Sequence, residues 1–289
     1  MMHAKTENLT FGRSLGKRFF NLIFDEMWTL ISVLAVLIIA GCTQPDPVEQ
    51  LLNARWVDLS HDFDEHTIYW PTNRPFTKDT SFYGINDKGY FYASFIYTAE
   101  EHGGTHFDAP LHFGQNGKTV EQIPLQQLMG QGVVVDVVDK ALADRDYLVS
   151  VDDLKEWEAK NGQIPDGALV LLNTGYSRFW PDPLTYTGTT LTGAEAVPHL
   201  HFPGIDPEAA QWLVDNRKIS AVGLDTPSID YGQSSEFLAH RILCAASLTI
   251  YENLTNLDQL PPKGSFVIAL PMKIKGGSGA PLRIIAMLP

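Results

Sequence analysis

Two continuous apolar runs constrain the fold of this chain more than any other feature, "GVVVDVVD" at 132–139 and "ALVLLNTG" at 168–175. Apolar runs of this length, with little alternation, are typical of strands that are covered on both faces. Between the runs, Ser150 precedes a helical pattern with an acidic residue three positions on, and Gly162 follows it. These signals predict a capped helix between two buried strands.

The pattern of strand and helix continues along the chain. Asp206-Pro207 opens a second helical pattern, which runs into a third buried strand, "ISAVGLD" at 219–225. A third helix is expected from Glu236 to about Ala246. Strands alternating with helices favour an α/β or mixed α+β domain. Four further strands are expected at "RWVDLS" (55–60), "YFYASFIY" (90–97), "SFVIALPMKI" (265–274) and "PLRIIAML" (281–288).

Length and charge limit the organisation and the partners. The chain has 289 residues, 44% of them hydrophobic, which favours one large domain over two small ones. No linker or repeat interrupts the sequence after about residue 55, so we expect a single domain over 55–289. The net charge of −13 argues against a nucleic-acid partner, because phosphate binding needs a basic surface.

The N-terminal segment predicts export. The apolar run "WTLISVLAVLIIA" at 28–40 is shorter than the roughly 20 residues that span a bilayer and fits the core of a signal peptide. The sequence "IIAGC" resembles a bacterial lipobox, in which Cys42 is lipidated. We therefore expect a lipoprotein-type signal peptide over 1–41 and a polar tether over 42–54.

The predicted location is the periplasmic side of the cell envelope, with membrane contact only through the lipid on Cys42. An ordinary secretory signal and an uncleaved anchor are the alternatives. If Cys42 is lipidated, only Cys244 remains, so no disulfide forms within the chain. Cys244 lies in an apolar helical pattern, which favours a buried small hydrophobe over a nucleophile.

The segment "EHGGTHFDAPLHF" at 101–113 contains the candidate metal-binding and catalytic residues. His102, His106, Asp108 and His112 all occupy even positions, and alternate residues of an extended chain project to the same side. The two glycines and the proline in the segment oppose a helix. An extended segment would therefore present all four side chains in one direction.

A divalent metal ion explains this arrangement. Neutral imidazoles and a carboxylate suit Zn²⁺, and also Mn²⁺ or Fe²⁺. The alternative is a solvated polar loop with incidental histidines. Not every member need bind the metal, and His112, set apart by Pro110, could instead be a general acid or base beside it.

The segment closely resembles the His-x-Gly-Thr-His-x-Asp-x-Pro-x-His motif of the cyclase-like metal-dependent hydrolases. That family includes bacterial kynurenine formamidases and isatin hydrolases. Weaker similarities follow in the family's order, and they extend the resemblance from about residue 55 through most of the chain. These are "DLSH" (58–61), "FPG" (202–204), "GLDTPSID" (223–230) and the pair His240 and Glu252.

The resemblance implies roles for six residues and a fold. His112 matches the catalytic histidine of the family. The family fold is a single mixed α/β domain with a barrel-like β core flanked by helices, assembled as a dimer or tetramer. One or two ions, Zn or Mn, are implied per subunit. The positions that match metal ligands are His102, His106, Asp108, His240 and Glu252.

The implied activity is hydrolysis of a small amide by metal-activated water, with His112 moving the proton. The His240 and Glu252 positions favour a substrate like N-formylkynurenine, although export is atypical for tryptophan catabolism. The alternatives are opening of the isatin lactam, a cyclase or dehydratase of the same family, and a metal-binding lipoprotein without enzymatic activity.

Four residues are candidates for the substrate pocket. Trp70 could line a pocket for an aryl group, or simply pack in the core. His61 could reach the site. His201 precedes the "FPG" turn, which makes it a candidate for the pocket or for a dimer contact. Phe202, the first residue of the turn, is a candidate for the pocket.

Overall fold

The computed structural model describes residues 46–289 and divides the chain into two units, Met1–Asn53 and Ala54–Pro289. The predicted signal peptide and Cys42 lie outside the described residues. Within the predicted tether, Pro47–Asn53 forms a short helix, α1. No helix among residues 46–289 is long and apolar enough to cross a membrane.

The second unit contains the other elements of the described residues. Its helices are α2 (Val138–Ala143), α3 (Val151–Asn161), α4 (Pro183–Thr187), α5 (Pro207–Asn216) and α6 (Leu238–Ala245). Its strands are β1 (Trp56–Asp58), β2 (Thr77–Ile85), β3 (Phe91–Thr98), β4 (His106–Asp108), β5 (Met129–Asp136), β6 (Leu148–Val149), β7 (Leu169–Asn173), β8 (Gly204–Ile205), β9 (Ala221–Leu224), β10 (Thr249–Glu252), β11 (Lys263–Pro271) and β12 (Gly279–Met287).

Seven strands close into a barrel-like sheet. Strands β5, β7, β9 and β10 are parallel neighbours, as the alternation of strand and helix predicts. Strands β4, β12 and β11 complete the circle with antiparallel pairings. Strand β1 pairs with the last residues of β12, and β4 pairs with its first residues. The fold is the expected mixed α+β domain with a barrel-like core.

Alternation along the buried strands divides the core in two. Val134 and Leu171 belong to the cluster that fills the barrel, together with Tyr251. Their neighbours Val133 and Val170 face outward into a second cluster, which the helices cover. Because both faces are buried, these strands read as continuous apolar runs in the sequence.

Local sequence signals predicted the first residues of the helices better than the last residues of the strands. Ser150 caps α3 and accepts a hydrogen bond from the Asp153 N–H, and Pro207 is the first residue of α5. The predicted strand 132–139 is too long, however. Strand β5 ends at Asp136, whose carboxylate accepts the Val138 N–H at 3.1 Å, and the apolar run continues as α2.

The aromatic run at 90–97 is a strand but is not part of the barrel. Among the described strands, β3 pairs only with β2, in a two-stranded hairpin whose side chains are mostly exposed. Cys244 is buried in α6, as its apolar surroundings predict.

Candidate metal centre

The segment 101–113 is a strand only in its middle, at β4. His106 and Asp108 project to one side of β4, and Phe107 between them is buried in the barrel core. The pairing of β4 with β10 sets Glu252 directly opposite His106. A left-handed turn at Gly104, with φ of +57°, precedes β4. His102 therefore reaches the same place from outside the strand.

Five of the predicted site residues converge. His106 Nε2 lies 3.3 Å from both Asp108 Oδ1 and Glu252 Oε2. His240 Nε2, from α6, lies 3.1 Å from Glu252 Oε1 and 3.4 Å from Asp108 Oδ2. His102 Nδ1 lies 2.7 Å from Asp108 Oδ1. All except His102 are buried.

The charge of this cluster suits a cation. Burial raises the pKa of Asp108, but the neighbouring imidazoles outweigh burial and hold the pKa well below its ordinary value, so the carboxylate is ionised. Burial lowers the pKa of His106, but Asp108 and Glu252 outweigh it and raise the pKa to about 10. Two buried carboxylates thus attract positive charge to one point.

The donor atoms also fit a metal. Asp108 Oδ2 is buried and receives no hydrogen bond from residues 46–289, which is costly unless a cation binds there. In the part of the chain that the structure describes, two groups could hold an ion, His102–His106–Asp108 and Asp108–His112–His240, each with ligand atoms within 4.8 Å of one another. Imidazole nitrogen and carboxylate oxygen are ligands that Zn²⁺ and Mn²⁺ accept.

His112 lies beside the cluster rather than between its carboxylates. Its ring stacks on His102 with a centroid distance of 3.7 Å and is 5.6 Å from the ring of His240. Burial lowers the pKa of His112 to about 4. A neutral imidazole in this position can accept a proton or bind a metal.

Hydrogen bonds fix the orientation of the imidazoles. His106 Nδ1 donates to the Gly104 carbonyl at 2.9 Å. His102 Nε2 lies 2.9 Å from Ser278 Oγ, and the Glu101 carboxylate accepts from the Ser278 hydroxyl at 2.7 Å. These contacts were not predicted, because nothing in the sequence links Ser278 to a segment so distant in the chain.

A cavity of about 260 Å³ opens over the cluster. Apolar and aromatic side chains form much of its wall, namely Ile68, Trp70, Phe113 and Phe237. The polar side chains outside the cluster include Asn73 and Glu100. Such a mixture of aromatic walls and a few polar groups is typical of a site for a small organic molecule.

Of the four predicted pocket residues, the structure places only Trp70 in the wall of this cavity. His61 instead stacks on Trp180 at 4.2 Å, and burial lowers its pKa to about 4. His201 Nδ1 lies 2.8 Å from Asp146 Oδ2. Phe202 is fully buried in a separate apolar cluster. These contacts hold the three side chains away from the cavity.

Comparison with known proteins identifies the family. A family model described as a putative cyclase matches residues 57–231. The chain belongs to this cyclase family. An isatin hydrolase of Roseibium aggregatum is 34% identical over 198 residues, which cover 65% of this chain and 72% of the relative. A kynurenine formamidase of Geobacillus thermodenitrificans is 28% identical over 228 residues, which cover 79% of this chain and 95% of the relative.

Solved structures of isatin hydrolases are similar to this chain over most of its length. Isatin hydrolase A from Ralstonia solanacearum has a TM-score of 0.73 and 31% identity, over 86% of this chain and 99% of that one. Isatin hydrolase A from Labrenzia aggregata, bound to benzyl benzoate, has a TM-score of 0.74 and 31% identity, over 84% of this chain and 99% of that one.

Proposed function

We propose that this member of the cyclase family is a metal-dependent hydrolase that cleaves the carbon–nitrogen bond of a small aryl amide. One observation carries the proposal. A buried cluster of imidazoles and two carboxylates lies at an aromatic-walled cavity that is open to a small molecule. The related isatin hydrolases and kynurenine formamidases support hydrolysis over a binding function.

Two substrate classes are supported by different observations. A ring-fused lactam of the isatin type is the first candidate, because the similar isatin hydrolase structures have TM-scores of 0.73 and 0.74. An aryl formamide of the N-formylkynurenine type is the second. The His240 and Glu252 positions and the near-complete coverage of the formamidase support it.

The proposed ligands are the five converging side chains, and the proposed ion is Zn²⁺ or Mn²⁺. Asp108 belongs to both groups that could hold an ion, so it would be a ligand in either of them. A bound divalent ion lowers the pKa of water and polarises an amide carbonyl. The proposed ligands are His102, His106, Asp108, His240 and Glu252.

The chain's own residues supply the remaining steps. The aromatic side chains of Trp70 and Phe237 hold the aryl ring and exclude water from it. His112 accepts the proton of the attacking water as the carbon–oxygen bond forms. His112 then returns that proton to the nitrogen as the carbon–nitrogen bond breaks.

Metal removal and reloading test this function. We expect the full-length protein to lose turnover when a chelator removes its metal, and to regain it with Zn²⁺ or Mn²⁺. Isatin and N-formylkynurenine, followed by absorbance, distinguish the two substrate classes. Tight metal binding without turnover of any amide would contradict the proposal and favour a metal-binding lipoprotein.

Two further proposals concern location and assembly. The apolar run at 28–40 and the "IIAGC" sequence support an exported protein that is anchored by lipid on Cys42. The exposed apolar side chains of the β2–β3 hairpin support a homodimer.

A further inference from the structure

Asp230 contacts one of the proposed ligands, His240, on the side of the ring away from the cluster. It lies in the segment between β9 and α6 and is buried. Its Oδ2 lies 2.7 Å from His240 Nδ1 and accepts the His240 backbone N–H at 3.1 Å. Its Oδ1 accepts the Ala239 N–H at 3.0 Å. One carboxylate therefore accepts hydrogen bonds from two free N–H groups at the start of α6. It also contacts the imidazole of His240, which belongs to the same helix.

This contact selects the tautomer of His240. An ionised carboxylate only accepts hydrogen bonds, so Nδ1 keeps a hydrogen, and Nε2 is the nitrogen that gives up its hydrogen when a cation binds. The lone pair of Nε2 then faces Glu252 Oε1 at 3.1 Å and Asp108 Oδ2 at 3.4 Å. Without Asp230, the ring could rotate or carry its hydrogen on Nε2, and neither state binds a cation at the cluster.

The same short segment also orients the second ligand. The Ile229 N–H donates to Glu252 Oε1 at 2.6 Å. Adjacent residues thus fix His240 through a side chain and Glu252 through the backbone. His102 and His106 are held differently, by a hydroxyl and by a backbone carbonyl.

We propose that Asp230 is a positioning residue that fixes the tautomer and orientation of His240 and thereby increases the affinity of the centre for a divalent cation. The inference rests on the proposed function, since it assumes that His240 binds the ion. Carboxylates that hold a metal-binding histidine typically change metal affinity by about 10- to 100-fold.

The test compares Asp230→Asn with Asp206→Asn in the full-length protein. Asparagine retains an acceptor for the helix N–H groups but can donate to Nδ1 and so favour the wrong tautomer. Asp206 caps α5 by accepting the Glu208 N–H at 2.7 Å, so Asp206→Asn controls for loss of a carboxylate at a helix start. The dissociation constants for Zn²⁺ and Co²⁺ are measured by competition with a chromophoric chelator, and the Co²⁺ absorption spectrum is recorded.

We expect Asp230→Asn to weaken binding about 10- to 100-fold and to shift the Co²⁺ spectrum, while Asp206→Asn changes neither. In a His240→Ala background, Asp230→Asn should have no further effect on metal affinity, whereas a general structural role would persist. If Asp230→Asn does not fold, Asp230→Ser provides the same comparison. Wild-type affinity in a folded variant would overturn the inference. Absence of binding by the wild-type protein would instead overturn the proposed function.

Discussion

At the scale of single residues, we expect His112 to contribute to catalysis without binding the metal. Its stacking on His102, at 3.7 Å, places it beside the cluster, and burial keeps its imidazole neutral. We expect His112→Ala to lower kcat by about 10²- to 10⁴-fold, because a general acid–base group contributes about that factor. Metal content should stay at the wild-type level, measured by elemental analysis beside steady-state kinetics.

The exposed His199 offers a matched control, since His199→Ala removes an imidazole that does not line the cavity. If His112→Ala lost its metal in parallel with its activity, His112 would be a ligand in the Asp108–His112–His240 group and not a proton carrier.

The sequence predicted the residues of this cluster because most of them lie in one short segment. The alternation of side chains along a strand is enough to predict that His106 and Asp108 share a face of β4. His102 and His112 lie outside the strand, so their convergence depends on the turns that flank it. Asp230 and Ser278 could not be found in this way, because only tertiary contacts bring them to the imidazoles.

At the scale of elements, the start of α3 is stabilised by a buried carboxylate. Asp153 accepts hydrogen bonds from the Ser150 N–H at 2.7 Å, the Tyr147 hydroxyl at 2.8 Å and Lys140 Nζ at 2.5 Å. Burial raises the pKa of Asp153, but these donors outweigh burial and lower the pKa below its ordinary value of 3.8.

We expect Asp153→Asn to lower the free energy of unfolding by about 2 kcal/mol at pH 7, because the amide carries no charge and its single oxygen cannot accept all three of these hydrogen bonds. The lowered pKa makes this stabilisation complete above pH 3.8 and lost as the pH falls through the folded-state value. Urea unfolding at pH 7 and at pH 3 measures the difference between wild type and variant. If the difference in unfolding free energy between wild type and variant were as large at pH 3 as at pH 7, the stabilisation would not depend on an ionised Asp153.

Helix starts were predictable because their signals are local. Ser150 and Asp206 cap helices through residues two or three positions away. The end of β5 was not predictable from hydrophobicity, since the apolar run continues past Asp136 into α2. Strand composition likewise predicted β3 but not its exposure, because aromatic and β-branched residues favour a strand whether or not another layer covers it.

At the scale of the whole molecule, the parallel half of the barrel follows from the sequence and its closure does not. Alternating buried strands and helices predict the neighbours β5, β7 and β9. Closure requires β4 to pair with both β10 and β12, which are distant in sequence from β4. Only the family resemblance indicated a barrel, because no local pattern encodes which strands meet.

The β2–β3 hairpin supports the proposed assembly of two copies. Its exposed large apolar side chains are Phe82, Tyr83, Ile85, Tyr90, Phe91, Tyr92, Phe95, Ile96 and Tyr97. About half of each remains accessible, which amounts to roughly 900 Å² per protomer over the two faces of the hairpin together. A standard interface buries about 800 Å² per partner, so one face of the hairpin would supply roughly half of such an interface. The hairpin carries two lysines and two aspartates, so its charges do not oppose contact with a second copy.

We expect the wild-type protein to sediment as a dimer at micromolar concentration and the double variant Tyr83→Ser with Phe91→Ser to dissociate at least tenfold more readily. These two rings contact each other at 5.3 Å and are more than half exposed, so their loss removes apolar area without opening the barrel core. The control, Leu125→Ser with Leu184→Ser, removes two comparably exposed side chains outside the hairpin. Sedimentation velocity over a concentration series measures all three proteins. Equal dissociation of both double variants would show that the hairpin is not the interface, and a monomeric wild type would contradict the dimer itself.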